Sequence, residues 1–244
     1  MALKILMFPL QGSALLATRA LTPVLSGYQD DRARVRQGFL RALSFILFVS
    51  APLIAGLYAL REPFVRVAIG PQWTAVPELL AWLAPAALLQ AAVSATTAVF
   101  TAQGRTSELM RIGAAIGTVQ VACFLVGMHW GIVGMARAYL ASMSICALPV
   151  FARVRQLTQA RAAHFGAACL RPVLNAMLML AAVQCLEALA EQWHCPDWLQ
   201  LCAGTGFGAA VYFLLAVLTD RDNTGALRRL FGRRGKVDGF AVRS

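Results

Sequence analysis

The stretch LREPFVRVAIGPQWTAVPELLAWLAP, residues 60–85, separates two long apolar runs. The run before it, residues 38–60, contains Arg41 as its single charge, and the run after it, residues 79–102, contains none. Each run is long enough to cross a bilayer, since a membrane helix needs about 20 apolar residues. The prolines and Gly70 between them prevent one continuous helix, and Trp73 supplies an aromatic anchor at headgroup depth. The stretch therefore predicts a hinge between two membrane helices.

The composition of the whole chain points to the same class. Hydrophobic residues make up 59% and charged residues 14% of the 244 positions. Soluble domains have about 25% charged residues, so this chain is too apolar for a soluble globule. The sequence predicts an all-α fold, a polytopic bundle of transmembrane helices.

The hydropathy pattern repeats along the chain and divides it into about seven spans. A helical transmembrane lobe covers residues 1–219, and a basic tail covers residues 220–244. The predicted spans are 2–26, 38–60, 79–102, 109–128, 132–151, 171–190 and 199–218.

The first of these spans is the weakest, because polar residues and prolines interrupt it. A signal peptide is the alternative interpretation, since Lys4 precedes an apolar run. Pro9 and Gln11 break that run, and Arg19 disrupts the small-residue pattern of a cleavage site. These residues favour a membrane span that lines a cavity.

Basic residues are distributed unequally between the two sides of this layout. The connections on one side contain 17 of the 22 Lys and Arg residues, and those on the other side contain only Arg61 and Arg66. The rich side consists of residues 28–41, 103–112, 152–171 and 220–244. The positive-inside rule places this side, with the C-terminus, in the cytoplasm. Residue 1 then starts on the opposite side, which leads us to expect that a preceding part of the protein is missing.

The same rule accounts for the net charge of +11 without a nucleic-acid partner. The basic residues lie between apolar runs and form no basic face interleaved with exposed aromatic residues. We therefore expect the lipid bilayer, and no nucleic acid, as a partner.

Several short motifs occur in an order that resembles a known family. They are Pro23-Val-Leu-Ser26, Gln29-Asp30-Asp31 followed by arginines, Pro52-Leu-Ile-Ala-Gly56, Gly70-Pro-Gln-Trp73 and Ala102-Gln-Gly104-Arg105. Together they resemble the C-terminal half of bacterial polysaccharide or O-antigen flippases. These proteins are part of the multidrug/oligosaccharidyl-lipid/polysaccharide exporter superfamily. The motifs cover residues 1–160, and hydropathy alone extends the resemblance to the remainder.

This resemblance implies a transporter in the bacterial inner membrane. Its substrate would be an undecaprenyl-pyrophosphate-linked glycan, moved from the cytoplasmic to the outer leaflet by alternating access. Family members have two similar lobes, with the substrate in a cationic cleft between them. The chain would be one lobe, and its partner would be a missing N-terminal lobe or a second membrane subunit.

Two arginines inside the predicted spans, Arg19 and Arg137, are the candidate substrate-binding residues. A charged side chain inside the bilayer costs about 3 kcal/mol or more, so it normally faces a cavity or a partner. Arginine can bind phosphate oxygens with paired donors. The alternative is that both side chains snorkel to the nearest headgroups.

Residue patterns of catalytic and cofactor sites are missing from the sequence. The six cysteines form no CxxC pair, and there is no GxSxG, HExxH or phosphate-binding glycine loop. We therefore expect no metal, cofactor or enzymatic activity. The alternative to a transporter lobe is a non-catalytic membrane subunit or scaffold of a polysaccharide-export complex. A membrane sugar transferase is less favoured, because Asp30 and Asp31 are the only paired carboxylates that could serve it.

Overall fold

The computed structural model describes residues 32–159, 162–193 and 196–219, and these residues form helices and turns without any strand. The helices are α1 (Arg32–Ala59), α2 (Arg61–Ala68), α3 (Val76–Ala102), α4 (Thr106–Gly127), α5 (Gly131–Thr158), α6 (Ala162–Gln192) and α7 (Asp197–Thr219). A single 3₁₀ turn, Met128–Trp130, joins α4 to α5. The first predicted span, with Arg19, and the predicted tail lie outside the described residues.

Six long helices correspond to the other six predicted spans, which confirms the all-α membrane fold. In the part of the chain that the structure describes, five helical stretches are long and apolar enough to cross a membrane, and one of them, Thr106–Thr158, contains both α4 and α5. The predicted total of seven spans is not confirmed.

The hinge between α1 and α3 has the turn that its sequence predicts. Gly70 adopts a φ of +112°, a conformation that favours glycine. Pro77 lies in the first turn of α3, where a missing N–H is tolerated. The polar segment before Gly70 is also helical, since it forms the short α2. The interruption is therefore a helix and a tight turn rather than an open loop.

The start of the predicted sixth span is wrong. The predicted span begins at residue 171, but α6 begins at Ala162 and Pro172 lies inside the helix. The basic stretch 152–171 is likewise mostly helical. Arginine and alanine have high helix propensities, so helices extend beyond the apolar part of each span. Hydropathy marks the membrane-embedded length and not the ends of the helix.

The six long helices form a row in the order α7, α6, α1, α3, α5, α4, defined by which helices pack most extensively. Helices α1 and α3 lie in the middle of this row, and their side chains supply most of the buried core, including Phe39, Leu43, Leu80 and Phe100. A second buried cluster joins α1 to α6 and α7. Many large apolar side chains of α4, α6 and α7 are exposed, as expected for surfaces that face lipid.

Two pairs of glycines four residues apart, Gly204/Gly208 and Gly113/Gly117, differ in how closely other residues approach them. A Cβ on Gly204 would approach Leu60 to 2.5 Å, and one on Gly208 would approach Val183 to 3.0 Å. The described residues place nothing within 4 Å of a Cβ at Gly113 or Gly117, so this pair makes no close contact there. The spacing is the same in both pairs, but only α7 is packed along its glycine face.

The two ends of the bundle differ in chemistry. Trp73, Trp130, Trp193 and Trp198 lie at the end that contains α2 and are 49–80% exposed. Arg105, Arg111, Arg153 and Arg155 lie at the opposite end. Tryptophan is enriched at membrane interfaces, and arginine is enriched on the cytoplasmic side. This asymmetry matches the alternation of loops that the charge distribution predicts.

Candidate functional site

Arg137 lies on α5, six residues after the turn at Gly131, near the tryptophan-rich end. Its Nη2 contacts Glu78 Oε1 of α3 at 3.4 Å. The guanidinium also lies over the ring of Trp82, with 4.9 Å between Cζ and the ring centroid. Glu78 and Trp82 are four residues apart and therefore occupy one face of α3. The side chain of Arg137 is held between these two residues.

Local chain geometry brings α4 and α5 together below this arginine. Gly131 has a φ of +71°, which allows the chain to reverse after the 3₁₀ turn. Gly127 and Gly134 then meet so closely that a Cβ on Gly134 would lie 2.5 Å from the carbonyl oxygen of Gly127. A larger residue at Gly134 would therefore separate the two helices.

A groove of about 820 Å³ lies beside this contact. Its walls are largely apolar, with Ala122, Val126 and Val133 among the lining residues. Arg137 and Glu78 are its charged residues. The groove could accommodate a hydrocarbon chain along its walls and an anionic group at Arg137.

The ion pair between Arg137 and Glu78 is largely exposed. The side chains of Arg137 and Glu78 are 58% and 53% exposed, and a single nitrogen makes the contact. Exposed pairs of this kind contribute roughly 0–1 kcal/mol. A guanidinium has five N–H donors, so one contact to a carboxylate leaves donors that a phosphate could use. The structure therefore places a partly exposed cation, in contact with one carboxylate, at the edge of the groove.

The sequence analysis identified Arg137 but missed both of its neighbours. Glu78 follows a proline at the start of α3, where an acidic residue is usually explained by the helix dipole. No spacing rule connects position 78 with position 137. The other candidate, Arg19, lies outside the described residues.

Three hydroxyl groups of α3 bond to the backbone of their own helix. Ser94, Thr96 and Thr101 donate to backbone carbonyls of their own helix, at 2.6–2.7 Å. Gln90 does link two helices, since its Oε1 accepts a hydrogen bond from the hydroxyl of Tyr139 at 2.8 Å. This bond joins α3 to α5 on the side of Arg137 that faces away from the tryptophan-rich end.

A second arginine of α5, Arg153, forms a different kind of contact at the opposite end of the bundle. Its Nε donates to Glu108 Oε1 of α4 at 3.0 Å, and its Nη2 contacts the same oxygen. Arg105 lies 3.3 Å from the other oxygen of Glu108. Glu108 is thus held by two arginines, and the cluster ties together the ends of α4 and α5 that lie away from their connecting turn.

Several known proteins that resemble the chain are named for polysaccharide biosynthesis or transport. A family described as "Polysaccharide biosynthesis protein" matches residues 1–78. The succinoglycan biosynthesis transport protein ExoT of Rhizobium meliloti is 27% identical over 215 residues, 86% of this chain and 42% of ExoT. An uncharacterized membrane protein in the cps region of Klebsiella pneumoniae is 26% identical over 136 residues, 54% of this chain and 27% of that protein.

Among solved structures, the lipid II flippase MurJ in an inward closed conformation matches with a TM-score of 0.73. The match has 18% sequence identity and covers 91% of this chain and 46% of MurJ. The chain has the fold of about half of MurJ. Together with the relatives named for polysaccharide biosynthesis, this confirms the resemblance predicted from the motifs. The chain spans less than half the length of the relatives and of the structure described here.

Proposed function

We propose that this chain is a lobe of a flippase that moves undecaprenyl-pyrophosphate-linked oligosaccharides across the bacterial inner membrane. The observation that supports this most directly is a flippase half-fold in which Arg137 lies at the edge of an apolar groove. The names of the polysaccharide-related relatives agree with this substrate class.

In this proposal Arg137 binds the pyrophosphate, and the groove walls contact its lipid chain. The phosphate displaces Glu78 from one guanidinium edge, while Trp82 keeps the guanidinium in place. When the ligand leaves, Arg137 pairs with Glu78 again, so the guanidinium is not left without a partner beside the apolar groove. Transport needs no covalent step, and we assign no catalytic residue.

We further propose that the chain is the C-terminal lobe, that its C-terminus is cytoplasmic, and that a second lobe completes the transport path. A reporter active only in the periplasm should therefore be silent when fused after Ser244 and active when inserted near Trp73. The motive is the 17-to-2 distribution of basic residues. Periplasmic activity at the C-terminus would contradict this orientation.

Complementation tests the lobe hypothesis. A strain without its O-antigen or capsule flippase should not recover surface polysaccharide when it expresses the 244-residue chain alone. The same chain joined to a matching N-terminal lobe should restore it, with protein levels matched by blotting. Full recovery by the chain alone would overturn the half-transporter proposal. No recovery by a well-expressed joined protein would favour the non-catalytic subunit.

A further inference from the structure

Proline removes a backbone donor in the middle of the central helix α1. Pro52 has no N–H, so the carbonyl of Phe48, four residues earlier, cannot receive its usual helical hydrogen bond. Phe48 is buried in the cluster that joins α1 to α6 and α7. An unpaired carbonyl in such a place is unfavourable, because no lipid or apolar side chain can donate to it.

The missing donor is replaced from a different helix. The hydroxyl of Tyr212, on α7, donates to the carbonyl oxygen of Phe48 at 2.7 Å. Tyr212 is 8% exposed, and its ring centroid lies 5.5 Å from that of Phe48. The bond joins residues that are 164 positions apart.

The position of Tyr212 on α7 gives this bond a further consequence. Gly204, Gly208, Tyr212 and Ala216 recur every fourth residue, and all four are buried. Small residues on such a stripe allow close approach but do not select one depth, because neighbouring turns present similar surfaces. A slide by one turn, about 5.4 Å, would separate the hydroxyl from the Phe48 carbonyl.

We propose that Tyr212 is a positioning residue that supplies the donor removed by Pro52 and thereby sets the depth of α7 against α1. The two residues are then functionally coupled, although they lie on different helices. The competing explanation is that Tyr212 stabilises the bundle only through its ring. These explanations differ in what happens when α1 regains its own donor.

A double-mutant cycle on the full 244-residue chain, purified in detergent, separates them. Tyr212→Phe keeps the ring and removes the hydroxyl, and Pro52→Ala restores an N–H that can bond to the Phe48 carbonyl. We expect Tyr212→Phe to lower the melting temperature by about 2–4 °C in the parent chain. In the Pro52→Ala background the same change should lower it by less than half as much.

Tyr139→Phe is the matched control, because it also removes a hydroxyl bond between helices, the one to Gln90. Its effect should be equal in both backgrounds. Pro52→Gly restores the same N–H without a Cβ and should reproduce the coupling if Pro52→Ala folds poorly. An equal effect of Tyr212→Phe in all backgrounds, or no effect in the parent chain, would overturn the proposal.

Discussion

Helix α5 makes one arginine–glutamate contact near each end, and the two contacts differ in how far they are saturated. Arg153 contacts Glu108 through two nitrogens, and Arg105 contacts the second oxygen of the same carboxylate. Arg137 contacts Glu78 through one nitrogen, at 3.4 Å, and more than half of each side chain is exposed. The same pair of residue types therefore forms a closed cluster at one end and an open one at the other.

The helices joined by the two contacts explain this difference. Arg153 and Glu108 connect α5 to α4, the helix that precedes it in sequence. A short turn already joins these two helices at their other end. Arg137 and Glu78 connect α5 to α3 across the groove, and a ligand in that groove would reach them. We infer that the Arg153–Glu108 cluster stabilises the α4–α5 hairpin, whereas the Arg137–Glu78 pair is available for exchange.

The largest expected effect is on export. In the joined two-lobe protein, Arg137→Gln should lower surface polysaccharide by about tenfold or more. The pyrophosphate of the ligand would lose a charge-assisted hydrogen-bond partner. Arg137→Lys should recover part of it, since lysine keeps the charge but loses the paired-donor geometry. Polysaccharide is measured at matched protein level.

Two arginines serve as controls for this experiment. Arg153→Gln removes the contact with Glu108 at the opposite end of α5. Arg66→Gln removes an ion pair at the tryptophan-rich end, in which Arg66 lies 3.4 Å from Asp197 and away from the groove. Both variants should keep most of the export. Normal export by Arg137→Gln would remove Arg137 from the site and favour snorkelling.

A smaller effect is expected on ligand binding when the competitor is removed. Glu78→Gln should tighten the binding of a polyprenyl diphosphate to the joined protein by at most about fivefold, since an exposed pair contributes roughly 0.2–1 kcal/mol. Glu108→Gln should leave the affinity unchanged. Weaker binding by Glu78→Gln, measured by thermophoresis, would show that Glu78 assists the ligand instead of competing with it.

The smallest effect is on the stability of the chain. Glu108→Gln should lower the melting temperature more than Glu78→Gln, because it breaks contacts with two arginines and leaves both cations without their shared partner. Thermal unfolding of both variants in the same detergent gives the order. If Glu78→Gln lowered the melting temperature more than Glu108→Gln, the Arg137–Glu78 pair would be structural.

The sequence was sufficient for the class of fold and for much of its layout. Apolar runs of about 20 residues and the turn at Gly70 are local features, and each determines its structure without knowledge of distant residues. The start of α6 at Ala162 was missed because hydropathy reports what lipid covers and not where helical hydrogen bonding begins. The alternation of basic and tryptophan-rich ends also follows from composition along the chain.

What the sequence alone determined, then, is a polytopic helical membrane lobe with Arg137 as an unusual charge. The tertiary structure decided what that charge touches. Glu78 and Trp82 meet Arg137 only because α3 packs beside α5, and Tyr212 meets the Phe48 carbonyl only because α7 returns to α1. These contacts join residues that are 59 and 164 positions apart in the sequence. They depend on how the helices pack, and the similar apolar surfaces of the helices do not specify that packing in the sequence of any one helix.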